Sequence, residues 1–184
     1  MGFTFLVGGA RSGKSSLALR IAESWGVPAT FVATAEAKDG EMASRIARHR
    51  NERPSGWETL EAPRSLIEAL EEVEPERGLI LDCMSFWVAN LVMDGAEAAD
   101  IEEQAASALA VLASRTGRTV VVSNEVGLGL VPDNELGRAF RDVLGRVNVL
   151  AASRAEVAYL VVAGRVLAID EFPLEGPLER KEAE

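Results

Sequence analysis

Short, unbroken apolar runs alternate along this chain with segments whose apolar residues recur at helical spacing. Unbroken runs of valine, leucine, isoleucine and phenylalanine are typical of strands buried on both faces of a sheet. They predict strands at residues 3–7, Ala29–Ala33, 79–81 with Asp82 at the end, and 119–122. Two later runs, Val157–Val162 and Arg165–Ile169, predict a hairpin across Ala163-Gly164.

Amphipathic segments lie between these strands. They predict helices at residues 16–23, about 39–53, 64–73, 99–115 and about 134–152. Pro54 and the Glu74-Pro75 pair end the second and third of these helices, because proline cannot continue a helix. Buried strands that alternate with helices imply a mostly parallel sheet covered on both faces. The predicted fold class is therefore α/β, with a C-terminal β-hairpin added to the parallel sheet.

Length and composition limit the class of protein further. A chain of 184 residues, 48% of them hydrophobic, suits one domain, which we place at residues 1–172, followed by an acidic tail at 173–184. No apolar run reaches the roughly 18 residues of a membrane span, and no signal-type segment opens the chain. A single cysteine, Cys83, fits a reducing cytoplasm. A net charge of −10 argues against a protein that coats nucleic acid.

The strongest chemical signal follows the first predicted strand. The segment fits the phosphate-binding loop pattern without a mismatch, and consists of Gly8, Gly9, Ala10, Arg11, Ser12, Gly13, Lys14 and Ser15. Its glycines let backbone N–H groups converge on an anion at the start of a helix. Lys14 is expected to reach the β- and γ-phosphates, and Ser15 to hold Mg²⁺. The sequence therefore predicts a nucleoside triphosphate site in a P-loop NTPase fold of the RecA-like type.

Asp82 is the second candidate, because it ends an apolar strand in a chain that already has a phosphate loop. In this Walker B position its carboxylate would help Ser15 to place Mg²⁺. The alternative is that Asp82 caps a helix beginning near Met84.

A basic segment interrupts the acidic chain around its only histidine, His49. Arg45, Arg48, Arg50 and Arg53 surround it. On a helix Arg45, His49 and Arg53 would share one stripe, with Met42 and Ile46 as possible anchors to the body. Arginine forks suit phosphate oxygens, and a neutral imidazole beside a bound phosphate is a potential nucleophile. The alternative is an exposed helix whose arginines pair with Glu41 and Glu52.

Polar residues also follow two other predicted strands. Thr34 follows the second, and the segment from Ser123 through Asn124 and Glu125 to Gly127 follows the fourth. Ligands of open parallel sheets bind beyond the carboxyl ends of the strands, so these residues are candidates for substrate contact. Ordinary loop residues would look the same.

Taken together, these motifs resemble the bifunctional adenosylcobinamide kinase / adenosylcobinamide-phosphate guanylyltransferase family of cobalamin biosynthesis. The resemblance covers about residues 3–164. It lies in the phosphate loop, in Arg48-His49-Arg50 with Arg53-Pro54 and Trp57-Glu58-Thr59, in Leu81-Asp82-Cys83-Met84-Ser85 with Trp87 and Asn90, and in Ser123-Asn124-Glu125-Val126-Gly127 with Val131-Pro132. The family usually has glutamine where this chain has Val149.

The resemblance implies a two-step reaction. The family phosphorylates the aminopropanol hydroxyl of adenosylcobinamide, a corrinoid, with ATP or GTP, and then transfers GMP from GTP to that phosphate. It implies that His49 carries GMP covalently, that Lys14 and Asp82 act in catalysis, and that the protein forms homo-oligomers. The implied nucleotide contacts beyond the loop are Ala33, Thr34, Ala35, Arg50, Asn51, Glu52, Arg53, Glu61 and Asp82. A small-molecule kinase without nucleotidyl transfer and a nucleotide switch remain the alternatives.

Overall fold

The computed structural model describes residues 2–37, 39–51 and 53–169. Within this part of the chain a seven-stranded sheet has the order β3-β2-β4-β5-β1-β6-β7. The strands are β1 (Thr4–Gly8), β2 (Ala29–Ala33), β3 (Glu58–Glu61), β4 (Gly78–Asp82), β5 (Thr119–Asn124), β6 (Val157–Val162) and β7 (Arg165–Ile169). Neighbouring strands are parallel except for the antiparallel β6–β7 hairpin, which confirms the predicted fold class.

Helices cover both faces of this sheet. They are α1 (Lys14–Glu23), α2 (Gly40–Asn51), α3 (Leu66–Glu71), α4 (Met84–Met93), α5 (Ala98–Ser114) and α6 (Glu135–Arg154). One face, which includes Phe5 and Val121, packs against α3, α4, α5 and α6. The opposite face, which includes Ile80 and Val120, packs against α1. Within the described residues, no helix is both long and apolar enough to cross a membrane.

Strand β3 was missing from the prediction, and helix α4 entered it only through the alternative role of Asp82. The edge strand β3 is short, and none of its four side chains is fully buried, so it carries no apolar run. Helix α4 has the opposite problem, because seven of its ten residues are buried and its composition is apolar on every side. A helix of that kind lacks the one-sided periodicity by which helices are recognised.

Several predicted boundaries also need correction. Helix α1 begins at Lys14 rather than at residue 16, and α3 spans only Leu66–Glu71 rather than 64–73. Arg64 stays outside α3 because its side chain pairs with Glu36 and Asp94 while its carbonyl accepts the Trp87 indole N–H at 2.8 Å. The predicted bounds of β2 and of both hairpin strands are confirmed. The predicted tail at residues 173–184 lies outside the described residues.

The parallel strands bring the candidate residues to one edge of the sheet. In the strand register Gly8 pairs with Asn124, and Asp82 pairs with both Ala33 and Val122. The carboxyl ends of β1, β5 and β4 therefore lie side by side at one edge of the sheet, with β5 in the middle.

Candidate active site

Close packing and backbone conformation explain why two positions of the phosphate loop are glycine. A Cβ on Gly8 would stand 2.2 Å from the carbonyl oxygen of Val161 in β6, so no larger residue fits there. Gly13, with φ of 101°, adopts the left-handed conformation at the start of α1 that glycine tolerates best. The turn of the β6–β7 hairpin supports the loop from outside, because the Gly164 N–H donates to the Ser12 carbonyl at 2.9 Å.

The Lys14 side chain lies inside the loop rather than in solvent. It is only 6% exposed, and its ammonium donates to the carbonyls of Gly8 at 2.8 Å and Gly9 at 2.7 Å. Hydrogen bonds to carbonyl oxygens offset the cost of burying a polar amino group. The Lys14 side chain therefore lies within the loop that the sequence predicts to bind phosphates.

A cleft of about 420 Å³ opens above the loop. It is lined by Arg11, Ser12, Gly13, Lys14, Ser15, Ser16, Ser44, Arg48, His49, Asp82, Cys83, Phe86, Val122 and Asn124. The structure thus brings most of the predicted loop residues together with Asp82 and His49. Arg48 joins them from α2, so the basic segment faces the phosphate loop with at least one arginine.

A second, narrower recess of about 60 Å³ adjoins this cleft. Its lining is Ser15, Phe31, Ala33, Ala35, Met42, Ile46, His49, Arg50, Arg53, Glu61, Asp82 and Phe86. Ser15, His49, Asp82 and Phe86 line both cavities. His49 therefore lies at the junction between a polar cleft, which suits phosphates, and a recess with aromatic and aliphatic walls.

Asp82 directly precedes Cys83, which is the N-cap residue of α4. Asp82 and Ser15 both line the cleft and the recess. Carboxylate and hydroxyl oxygens are hard donors of the kind that Mg²⁺ prefers.

Thr34 holds the chain that follows Asp82. Its side chain is fully buried, and its hydroxyl donates to the Cys83 carbonyl at 2.6 Å while accepting from the Cys83 N–H at 2.9 Å. The peptide bond between Asp82 and Cys83 is cis. The Asn90 amide in turn donates to the carbonyls of Thr34 and Pro63, each at 3.0 Å. These contacts give the Thr34 hydroxyl a positioning role within the protein.

The Cys83 thiol forms part of the cleft wall but is poorly suited to be a nucleophile. Burial, reinforced by the charge of Asp82, raises the pKa of Cys83 to about 11. The reactive form of cysteine is the thiolate. At neutral pH this thiol is therefore protonated and chemically quiet.

Helix α2 faces the two cavities with different residues. Ser44 and Arg48, one helical turn apart, line the cleft, whereas Met42 and Ile46 line the recess. Most other described side chains of this helix are exposed. The predicted stripe needs correction, because α2 ends at Asn51 and Arg53 lies beyond it. The side chain of Arg45 lies outside the described structure.

Arg53 and Arg50 contact the protein on either side of the recess. The Arg53 guanidinium stacks 3.6 Å from the Phe31 ring centroid and donates to the Thr59 hydroxyl at 2.6 Å. Burial lowers the pKa of Arg53, and its buried Nε has no hydrogen-bond partner among the described residues. Arg50 forms an ion pair with Glu61 of β3. The predicted pairing with Glu41 or Glu52 involves side chains that are not described.

Some predicted contacts are not brought to either cavity. Ala10 and Asn51 are exposed and line neither the cleft nor the recess. Glu52 is outside the described residues. Conversely, Phe86 lines both cavities and was not predicted, because it lies on α4, which the sequence suggested only as an alternative. Ser44 also lines the cleft and was not predicted. Its spacing of four residues from Arg48 is the signal in the sequence that places both on one helix face.

The parallel sheet, the glycine loop and Lys14 define a P-loop nucleotide-binding protein. Residues 4–169 match the family described as cobinamide kinase / cobinamide phosphate guanyltransferase, CobU. The chain belongs to this family of transferases, which confirms the resemblance seen in the sequence.

Individual relatives agree with this assignment. The chain is 43% identical to the bifunctional adenosylcobalamin biosynthesis protein CobP of Pseudomonas aeruginosa, over 92% of this chain and 98% of that protein. It is 37% identical to the protein CobU of Escherichia coli K12, over 86% of this chain and 94% of the relative.

Solved structures of distant sequence share the fold. A Pyrococcus horikoshii OT3 protein matches with a TM-score of 0.56 at 7% identity, over 91% of this chain and 85% of that one. An ATPase of a bacterial type III secretion system matches with a TM-score of 0.56 at 11% identity, over 86% of this chain and 50% of its own. At these identities the likeness concerns the fold alone.

Proposed function

We propose that this protein phosphorylates adenosylcobinamide and then transfers GMP to the product, with His49 as the covalent carrier of GMP. The observation that carries the proposal is the position of His49. It lines the same cleft as Lys14 and Ser15 and also the recess that contains Arg50, Arg53 and Glu61. A nucleotide with its base packed against the recess and its phosphates in the cleft would pass its α-phosphate close to the imidazole.

In the kinase step the corrinoid hydroxyl oxygen attacks the γ-phosphorus of ATP or GTP. A bond forms between these atoms, the bond from γ-phosphorus to the bridging oxygen breaks, and the nucleoside diphosphate leaves as the hydroxyl proton is released. Lys14 and the N-terminal N–H groups of α1 stabilise the negative charge on the phosphates. Ser15 and Asp82 supply the oxygen donors that would hold Mg²⁺, which neutralises phosphate charge when bound.

In the second step an imidazole nitrogen of His49 attacks the α-phosphorus of GTP. A phosphorus–nitrogen bond forms, the bond to the bridging oxygen breaks, and pyrophosphate leaves. A phosphate oxygen of the phosphorylated corrinoid then displaces the imidazole, which restores His49 and completes adenosylcobinamide-GDP. Arg48 faces the same cleft and would provide a positive charge for the leaving group.

The residues around the recess offer surfaces against which a purine base could pack. Phe86 and the Arg53 guanidinium that covers Phe31 are planar, and Met42 and Ile46 provide aliphatic surface. Glu61, held by its ion pair with Arg50, offers a carboxylate that matches the adjacent N–H donors of guanine. This carboxylate would distinguish guanine from adenine, which lacks that pair of donors.

The direct test is incubation with GTP labelled at the α-phosphate. Label should attach to the protein, survive mild base and be lost in acid, as phosphoramidates are. His49→Ala should take no label and make no adenosylcobinamide-GDP, yet still phosphorylate adenosylcobinamide. Ala47→Asn, on the exposed surface of the same helix, is the matched control and should label normally.

Two results would contradict the proposal in different ways. A labelled His49→Ala protein would exclude His49 as the carrier. A wild-type protein that phosphorylates the corrinoid but never takes label would be a simple small-molecule kinase.

A further inference from the structure

Asn124 occupies a central position that the proposed chemistry does not yet use. It is the last residue of β5, the strand that lies between β1 and β4. In the register it pairs with Gly8, where the phosphate loop begins, and lies two residues beyond the level of Asp82. Its side chain lines the cleft together with Lys14 and Asp82. The strand order therefore places one amide between the phosphate loop and the Asp82 carboxylate.

The orientation of this amide is fixed by a neighbouring hydroxyl. Asn124 Nδ2 donates to Ser85 Oγ at 2.8 Å. The Ser85 hydroxyl is buried and also lies 2.8 Å from the Cys83 thiol, so α4 holds it in place. Among the described residues Ser85 is the hydrogen-bond partner that the structure gives this side chain. An asparagine amide has two hydrogens and a carbonyl oxygen, so one hydrogen and the oxygen are left for the cleft.

The backbone beneath Asn124 is fixed as well. The buried Asn148 of α6 donates to the Asn124 carbonyl at 2.9 Å and accepts from the Ser123 hydroxyl at 2.6 Å. The Glu125 N–H donates to the Gly8 carbonyl at 2.9 Å, which is the same oxygen that receives Lys14. The Asn124 side chain is thus oriented by α4 on a backbone that α6 and β1 hold in place. Such preorganisation is the condition for electrostatic stabilisation of a reacting group.

We propose that Asn124 donates its second amide hydrogen to an oxygen of the γ-phosphoryl group and holds that group during transfer. This inference rests on the proposed kinase step. Charge spreads over the equatorial oxygens of a phosphoryl group in flight, and a fixed donor stabilises it. In guanylyl transfer the bond breaks at the α-phosphorus, so the γ-contact is the same before and during that reaction. Asn124 should therefore matter far more for the kinase step.

The test compares both reactions in Asn124→Ala. The kinase kcat should fall by about a hundredfold to a thousandfold, as for loss of a preorganised donor. The rate of His49 labelling by saturating α-labelled GTP should change by less than about threefold, which is below the effect of such a donor. Asn134→Ala removes a hydrogen bond at the exposed N-cap of α6 and serves as the matched control. It should lower the melting temperature and leave both rates unchanged.

Two further variants test the donor role and the orientation of the Asn124 amide. Asn124→Asp presents only acceptors to the phosphoryl oxygens, so its kinase rate should be no faster than that of the alanine variant. Ser85→Ala leaves the amide in place but removes the partner that orients it, so its kinase rate should lie between those of wild type and Asn124→Ala. Equal losses in the kinase and labelling rates of Asn124→Ala, or an unchanged kinase rate, would overturn the proposal.

A binding experiment separates this inference from the identity of the acceptor. Calorimetry with a non-hydrolysable ATP analogue and with ADP gives the preference of the protein for a γ-phosphate. That preference should shrink in Asn124→Ala, while ADP affinity stays unchanged. An unaltered preference would overturn the role of Asn124. Wild-type protein that binds the analogue but does not phosphorylate adenosylcobinamide would instead overturn the proposed function.

Discussion

The phosphate loop and helix α2 build opposite walls of one cleft in opposite ways. The loop is packed into the molecule, since Lys14 is 6% exposed and the adjoining strand ends form hydrogen bonds to their neighbours. Helix α2 lies at the surface, and most of its described side chains are exposed. The loop is predicted to bind phosphates with backbone atoms, whereas α2 offers side chains, among them Arg48 and His49. The predicted triphosphate site thus belongs to the core of the fold, and the proposed carrier of GMP belongs to a peripheral helix.

This difference predicts which substitutions affect both reactions and which affect only one. Changes in the loop should affect every reaction that begins with a bound triphosphate. Changes at the exposed residues of α2 and at Glu61 should affect one reaction and leave stability nearly unchanged, because exposed side chains contribute little to folding.

Lys14→Ala should have the largest effect. We expect tight triphosphate binding and both activities to be lost, because the ammonium at the centre of the loop is removed. Calorimetry with GTP measures this directly, and Arg20→Ala on the exposed side of α1 is the matched control. Near-normal GTP affinity in Lys14→Ala would show that the loop is not the triphosphate site.

Asp82→Asn should reduce Mg²⁺-dependent turnover by about a hundredfold or more, comparable to the loss of one preorganised charge-stabilising group. The two side chains have nearly the same shape, so the fold should survive. Turnover as a function of Mg²⁺ concentration, with a melting curve beside it, measures the effect. Unchanged turnover in the folded variant would remove Asp82 from the metal site.

Glu61→Gln tests the recess rather than the loop. We expect KM for GTP in the labelling reaction to rise by about tenfold, the loss of one modest polar contact. The ATP-dependent kinase rate should stay near that of wild type. The ion pair with Arg50 is exposed, so the free energy of unfolding should change by less than about 1 kcal/mol. An equal loss with ATP and GTP would contradict a role in base recognition.

Cys83→Ser gives the smallest expected effect, and it concerns pH. The pKa of Cys83 is raised from an ordinary 9.0 to about 11, so only the unfolded chain ionises its thiol between these values. Wild-type stability should therefore be intact below about pH 9 and fall as pH rises, by roughly 1 kcal/mol at pH 10. Urea unfolding of both proteins at pH 7.5 and 10 compares them, and an identical fall in the serine variant would contradict this account.

The sequence predicted those parts of the fold that depend on local pattern. Strand β2 and the β6–β7 hairpin have the predicted bounds, because unbroken apolar runs and a glycine turn are local signals. Strand β3 was missed because its edge position leaves it without an apolar run, and α4 was suggested only as an alternative because burial on all sides removes helical periodicity. Their existence depends on neighbours that are distant in the chain.

The candidate site also has one part that local sequence could predict and another part that depends on the fold. The phosphate loop is contiguous, so its pattern could be recognised without knowledge of the fold. The fixed orientation of Asn124 depends on Ser85 and Asn148, which come from two different helices and meet only in the folded sheet. Spacing along the chain carries no sign of that contact. The same holds for Arg53, whose stacking on Phe31 follows from the packing of β2.

The contact between Gly164 and Ser12 has a practical consequence for anyone who shortens this protein. The hairpin is the last element described and lies at the edge of the sheet, so it looks dispensable. Its turn nevertheless forms the outer wall of the phosphate loop, at a hydrogen-bond distance of 2.9 Å. A truncation that removes β7 would therefore act on the nucleotide site from outside. A C-terminal truncation that preserves this contact has to retain β7 up to Ile169.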